Sequence, residues 1–341
     1  MRSVRLIETA KPLVDLAIDF PEPAADEVLI EIHAAGICHS DAHYRAGRGR
    51  VALPLTLGHE IAGIVIEIGE NVTNVAVGDR VAAHYLVSCG TCADCARGGE
   101  QFCEHGEMFG KERDGGFAEW IAIPARNAVL IPQPIPFDEA AVMMCSTATV
   151  YHALRLASLQ PGESVAIIGF GGLGVSALQL AGALGASSIA AIDVVPEKLA
   201  AATSLGAAAI DARRDDLSHE IRRIAGGRGA DVVLDLAGNA SSRLAALRSL
   251  APGGRLVLVA LGPQPFTFDP YADVLTRERR IIGCSDHLLT ELPELMDLAR
   301  RGDIDLSSVI TRRVPLEAHA INEVLDDLDR GTSHLRAVVT R

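Results

Sequence analysis

An α/β domain joined to a mainly β domain is the fold class that this 341-residue sequence predicts, and three observations carry it. The length suits two domains, each able to bury enough apolar surface to fold without covalent staples. The first 150 residues alternate apolar and polar at a period of two, with Gly and Pro between the runs, which is the grammar of short antiparallel strands. From about Ser164 the grammar changes to continuous apolar runs separated by helical segments, which is the grammar of a doubly wound parallel sheet.

The elements follow in chain order. EVLIEIHAAGI and EIAGIVIEIG read as antiparallel strands. SVAIIG is a buried strand, GGLGVSALQLAGALGA a helix and SSIAAID a second buried strand; AAAID, DVVLDLAG, GRLVLVALG and RIIGCS continue the series as buried strands. After about Ser285 the alternation loosens, and VITRRVPL, AINEVLDDLDR and HLRAVVT read as a return to the first region. The expected division is therefore residues 1–150 with 286–341 in one domain and 151–285 in the other.

Composition narrows the function. A formal net charge of −13 is spread along the chain and repels phosphates, which argues against a nucleic-acid partner. The longest apolar runs, such as AVMMCSTATV, fall short of the roughly 20 residues that span a bilayer, so no membrane segment is expected. Seven cysteines, with no apolar secretory stretch at the start, fit a reduced, cytoplasmic setting in which clustered thiols are metal ligands more often than disulfides.

Gly169, Gly171, Gly172, Leu173 and Gly174 lie in IIGFGGLGVSALQL, where G-x-G-x-x-G directly follows a buried strand and opens a helix. The first glycine permits the turn, the second admits a pyrophosphate, the third allows close helix packing, and the helix N-terminus attracts the anion. Asp193 ends the next strand about twenty residues on, where a carboxylate accepts from ribose hydroxyls and repels a 2′-phosphate. NAD is expected over NADP. Lys198 is within reach of the same ribose, though a surface helix lysine needs no such role.

Six of the seven cysteines fall into two groups, and the seventh, Cys284, follows a buried strand and reads as a core thiol. Cys89, Cys92, Cys95 and Cys103 are spaced x2, x2, x7 among glycines, and four thiolates from one loop suit a closed tetrahedral zinc with a structural part. Cys38 in GICHSDAH, His59 with Glu60 in LGHEIAG, and Cys145 in MMCSTATVYHAL are dispersed. Two thiolates and an imidazole would leave zinc one open position, as catalytic sites require, but periodicity does not bring these three together, and buried cysteine is common in cores.

The five stretches GICHSDAH, LGHEIAG, the four-cysteine loop, CSTATVYHAL and GFGGLG, in that order, resemble the zinc-containing medium-chain alcohol dehydrogenases. The resemblance implies a Rossmann domain with a GroES-like catalytic domain, two zincs per chain and a homodimer or homotetramer. It implies Cys38, His59 and Cys145 as catalytic zinc ligands, Glu60 as an acid able to approach the metal transiently, and Asp41 as the acid that orients the histidine ligand. It implies Ser40 and His43 as the proton path, His39 and Arg336 at the cofactor's phosphates and Thr149 against the nicotinamide. Tyr85 and Leu86 precede the four-cysteine loop, where similar enzymes place an apolar pocket wall. The expected reaction is reversible oxidation of a primary or secondary alcohol to an aldehyde or ketone by NAD. Cys145, where related polyol and threonine dehydrogenases commonly carry Glu, points to the alcohol branch; a polyol, amino-alcohol or sugar dehydrogenase and a metal-free quinone-reductase-like or structural relative are the alternatives.

Overall fold

The computed structural model describes residues 1–213, 216–262, 264–331 and 336–341, and the chain divides into two compact units. The first comprises Met1–Cys145, Leu288–Arg301 and Leu306–Arg341; the second comprises Ser146–His287 and Gly302–Asp305.

The first unit is built on a seven-stranded sheet. In spatial order run Ala128–Leu130, Arg80–Ala83, Glu60–Ile68, Glu27–Ile37, Arg336–Thr340 and Ile310–Val314, with Trp120–Pro124 also paired to Glu27–Ile37. All pairings are antiparallel except the last, between Ile310–Val314 and Arg336–Thr340, which is parallel. The strand expected from HLRAVVT is described from Arg336 onward; His334 and Leu335 lie outside the described residues. Period-two alternation sends Val28, Ile30, Ile32, Ile61, Val65, Val81 and Val339 into one core with Phe109, Phe117 and the helix residues Ile321 and Leu325.

The second unit is a six-stranded parallel sheet in the order Ala208–Asp211, Ser188–Asp193, Ser164–Ile168, Ala230–Asp235, Leu250–Leu258, Arg280–Gly283. Numbered along the chain this is 3-2-1-4-5-6, so the order reverses beside Ser164–Ile168, and ligands of such sheets bind at the carboxyl ends of the strands at that reversal. All five residues of Ser164–Ile168 are buried, as the continuous apolar run requires. RIIGCS and AAAID depart from the expected buried strands. Arg280–Gly283 closes one edge of the sheet and pairs on one side only, so none of its four residues is fully buried and Cys284 behind it is half-exposed. Ala208–Asp211 forms the opposite edge of the sheet, where Ile210 alone of its four residues is buried. Among the described residues no helix is long and apolar enough to cross a membrane.

Candidate metal centres and cofactor cradle

Cys38 stands where the strand Glu27–Ile37 turns into the helix His39–Arg45. Its amide donates to Asp41 Oδ2 at 2.8 Å, and the Gly58 amide donates to Asp41 Oδ1 at 3.1 Å. One fully buried carboxylate thus ties together the two segments that carry Cys38 and His59. The antiparallel register sets Gly36 opposite Glu60, the first residue of the strand Glu60–Ile68. A Cβ on Gly36 would lie 1.9 Å from Glu60 Oε2, so glycine is what lets the acid lie across the strand pair. Cys145 comes from a π-helical turn, Met143–Thr147, inserted between the helices Phe137–Val142 and Ala148–Leu156. Such turns re-aim side chains and cluster at functional sites.

One ligand atom from each of Cys38, His59, Glu60 and Cys145 lies within 4.8 Å of the others. Cys38 Sγ and Cys145 Sγ are 4.0 Å apart, close to the about 3.8 Å that two thiolates on a tetrahedral zinc adopt at Zn–S of about 2.3 Å. His59 is buried, and its Nδ1 faces Asp41 Oδ1 at 3.6 Å, which leaves Nε2 as the nitrogen free to ligate. Glu60 Oε1 is buried without a hydrogen-bond partner, while Oε2 accepts from the Arg336 guanidinium. An orphaned carboxylate oxygen beside two thiols and an imidazole fits a divalent metal.

The electrostatics agree. The contact with Cys145 holds the Cys38 thiol well below the ordinary range, against burial, and the same contact pushes Cys145 up. Burial opposes charge on His59, but Asp41 and Cys38 together raise it well above its usual value. Burial pushes Glu60 up to about 7 against the pull of Arg336, and Arg336 is itself raised by Glu60 despite burial. A cation is already recruited to the negative cluster. The Arg336 side chain, expected at the cofactor's phosphates, is buried at 5% exposure on Glu60.

The four-cysteine lobe meets the zinc criterion independently. Sγ atoms of Cys89 and Cys95 are 4.0 Å apart, those of Cys92 and Cys103 3.9 Å, and all four lie within 4.8 Å of one another. Backbone amides aim at the sulfurs: Cys92 N donates to Cys89 Sγ and Cys89 N to Cys103 Sγ, both at 3.3 Å. Amide hydrogen bonds from Thr91 and Cys92 lower Cys89 to about 6, whereas desolvation raises Cys95 to about 11. Four sulfurs fill a tetrahedral shell and leave no position for substrate.

In the second unit, Gly169 adopts φ +96° and Gly171 caps the helix Gly172–Ala183, whose first turn also holds Leu173 and Gly174. A Cβ at Gly174 would stand 2.5 Å from the Gly169 carbonyl oxygen, whereas one at Gly171 would meet nothing within 4 Å. Tight packing behind and open space in front at a helix N-terminus form a fitting cradle for a pyrophosphate. Asp193 ends its strand and accepts from Phe170 N at 2.7 Å through Oδ2, and from Val194 N and Val195 N through Oδ1. Lys198 lies in the first turn of the helix Pro196–Ser204 and is half-buried, as is Thr149, whose carbonyl accepts from Cys284 Sγ at 3.7 Å.

Of the remaining expected residues, Ser40 is half-buried with Oγ 3.8 Å from Cys38 Sγ. His39 is exposed, and its ring centroid lies 5.3 Å from that of the half-buried His43. Tyr85 is buried edge-on to His59, with centroids 5.2 Å apart, and Leu86 beside it is half-buried. Nothing in the sequence marked the Glu60–Arg336 pair, since its partners stand 276 residues apart; the lone arginine inside the apolar run RAVVT was the available signal.

Residues 24–133 match the alcohol dehydrogenase GroES-like domain family, and residues 172–301 match the zinc-binding dehydrogenase family. The chain is 37% identical to an NAD-dependent alcohol dehydrogenase of Sulfurisphaera tokodaii, over 96% of each chain. It is 36% identical to an L-threonine 3-dehydrogenase of Bacillus velezensis, over 88% of each. The solved alcohol dehydrogenase of Thermus sp. ATN1 superposes with a TM-score of 0.93 at 29% identity, covering 100% of this chain and 99% of that one. With the two cysteine groups, the glycine cradle and the 3-2-1-4-5-6 sheet in place, the chain belongs to the zinc-type medium-chain alcohol dehydrogenases.

Proposed function

We propose that this protein interconverts primary or secondary alcohols and aldehydes or ketones with NAD and zinc, at a centre held by Cys38, His59 and Cys145. The observation that carries the reading is the donor set itself: two thiols and an imidazole grouped with Glu60, whose Oε2 is engaged by Arg336. When bound, zinc supplies the Lewis acidity that makes an alcohol hydroxyl acidic near neutral pH, and NAD supplies the acceptor for hydride.

The residues of the chain do the rest. Asp41 orients His59 and fixes the Cys38 turn. Ser40, next to the Cys38 sulfur, both accepts and donates and so takes the substrate's hydroxyl proton, which His43 passes outward. Glu60 stands by as a transient ligand, kept back by Arg336. Tyr85 walls the substrate side of His59. Gly169, Gly171, Gly172, Leu173 and Gly174 receive the pyrophosphate, Asp193 the adenosine ribose with Lys198 beside it, Thr149 packs on the nicotinamide and His39 meets a phosphate. The four-cysteine lobe holds the second, structural zinc. A homodimer or homotetramer in the cytoplasm is proposed on the resemblance and on the reduced cysteines.

An NAD-coupled screen over alcohols, aldehydes, ketones, polyols and amino alcohols, with zinc counted in the purified protein, tests this reading. Turnover of simple alcohols at two zincs per chain is expected. The likeness to an L-threonine 3-dehydrogenase makes an amino-alcohol substrate the second reading, and the same screen separates the two. Protein that binds two zincs and NAD yet oxidises none of these substrates would overturn both.

A further inference from the structure

The four-cysteine lobe has no core of its own. None of residues 89–103 is fully buried, and its only regular pieces are the short helical turns Ala93–Ala96 and Glu100–Phe102. Its shape therefore depends on what its sulfurs hold. From it one carboxylate, Glu100, only 12% exposed, reaches back toward the body of the unit. Oε1 accepts from Leu289 N at 2.5 Å and faces His84 Nε2 at 3.6 Å; Oε2 meets Ser88 Oγ at 3.4 Å and Arg126 Nη2 at 3.5 Å.

The far side of this contact runs to the reaction centre. His84 is fully buried, its backbone fixed by Asn127, whose carbonyl accepts from His84 N at 2.8 Å and whose side chain donates to His84 O at 2.7 Å. Its ring lies over that of Tyr85 at 6.0 Å and 27°, and Tyr85 in turn stands edge-on to His59 at 5.2 Å and 79°. A packed row of three rings thus leads from Glu100 to a metal ligand, and close-packed interiors transmit displacement along such rows.

We propose that Glu100 is a positioning residue for the alcohol dehydrogenase reaction, the peg through which the metal-ordered lobe holds His84 and Tyr85 against His59. The proposal rests on Cys38, His59 and Cys145 being the reaction centre. The lobe metal then serves rate as well as stability, because ordering the lobe is what sets Glu100 in place.

The test compares wild type, Glu100→Ala, Glu100→Gln and His84→Phe for zinc content, steady-state kinetics and the imidazole resonances of 15N-histidine-labelled protein without NAD. With both zincs retained, Glu100→Ala should lower kcat/KM for the alcohol roughly tenfold, the scale of a small misplacement at a reacting centre. The loss should fall mainly on kcat, with KM for NAD unchanged and the His59 resonances moved. Glu100→Gln, which still offers Leu289 an acceptor, should recover part of the loss. His84→Phe keeps the ring stack but removes the nitrogen facing Glu100, so it should reproduce the loss with the lobe untouched, and it decides alone if Glu100→Ala sheds zinc or does not fold. Wild-type kinetics and unmoved His59 resonances in zinc-replete Glu100→Ala, or in His84→Phe, would overturn the proposal. Failure of the underlying reading shows instead in the wild type, as absent zinc or absent NAD-coupled turnover.

Discussion

Asp193 Oδ2 accepts the Phe170 amide at 2.7 Å, which ties the end of the second parallel strand to the middle of the glycine turn. The carboxylate proposed to recognise a ribose therefore also shapes the glycine turn. Asp193→Gly should raise the efficiency with NADP relative to NAD, since the charge opposing a 2′-phosphate is gone. It should also lower efficiency with NAD by roughly one to two orders of magnitude, the scale of a lost charge-assisted hydrogen bond. Initial rates with both cofactors check this, and a wild type that already prefers NADP sinks the assignment of Asp193.

The two cysteine groups should separate by mutation. Cys38→Ser should remove one zinc and abolish turnover with the fold kept, whereas Cys95→Ser should remove the other and lower thermal stability. Each 1 kcal/mol lost corresponds to about 2–4 °C in Tm for domains of this size. Metal analysis, calorimetry and activity on the same preparations decide it; unchanged stability in Cys95→Ser contradicts the division.

Gly36→Ala should destabilise the first unit by about 3 kcal/mol or more, because the added methyl takes the place of Glu60 Oε2 and breaks its buried pair with Arg336. Denaturant unfolding of wild type and mutant measures the difference. A loss under about 1 kcal/mol, an ordinary surface value, means that Glu60 has another place to go.

Burial first, then the neighbouring His39 and Arg48, lower the pKa of His43 below its ordinary 6.5, while Asp329 works the other way. His43 is therefore neutral at pH 7 and able to accept a proton, and gains charge only as pH falls through the lowered value. Ser40→Ala should cost most of the turnover at every pH with both zincs and NAD binding retained. His43→Gln should cost less, with the loss present near neutral pH and shrinking as pH falls through the lowered value, where His43 is already charged in the wild type. Rate profiles for alcohol oxidation test both; near-wild-type rates in Ser40→Ala across the range rule out the relay.

What the sequence disclosed was whatever local spacing encodes. The x2, x2, x7 cysteines and the G-x-G-x-x-G turn each lie within one loop, so their geometry follows from chain chemistry alone. The dispersed centre is different: Cys38 and His59 meet because two strands pair in one register, and Cys145 arrives on a π-turn that no apolar pattern marks. Here resemblance supplied the grouping. RIIGCS and AAAID lie at the two edges of the parallel sheet, and a run of apolar residues serves an edge strand as well as a central one.

The Glu60–Arg336 pair spans 276 residues, and that separation has a consequence for synthesis. At about 5–20 residues per second, a ribosome delivers Arg336 roughly 14–55 s after Glu60. Throughout that interval Cys38, His59, Glu60 and later Cys145 are in the nascent chain without their balancing guanidinium, and the strand Arg336–Thr340 that seats it beside Glu27–Ile37 does not yet exist. Completion of the proposed reaction centre thus follows translation of the entire second unit.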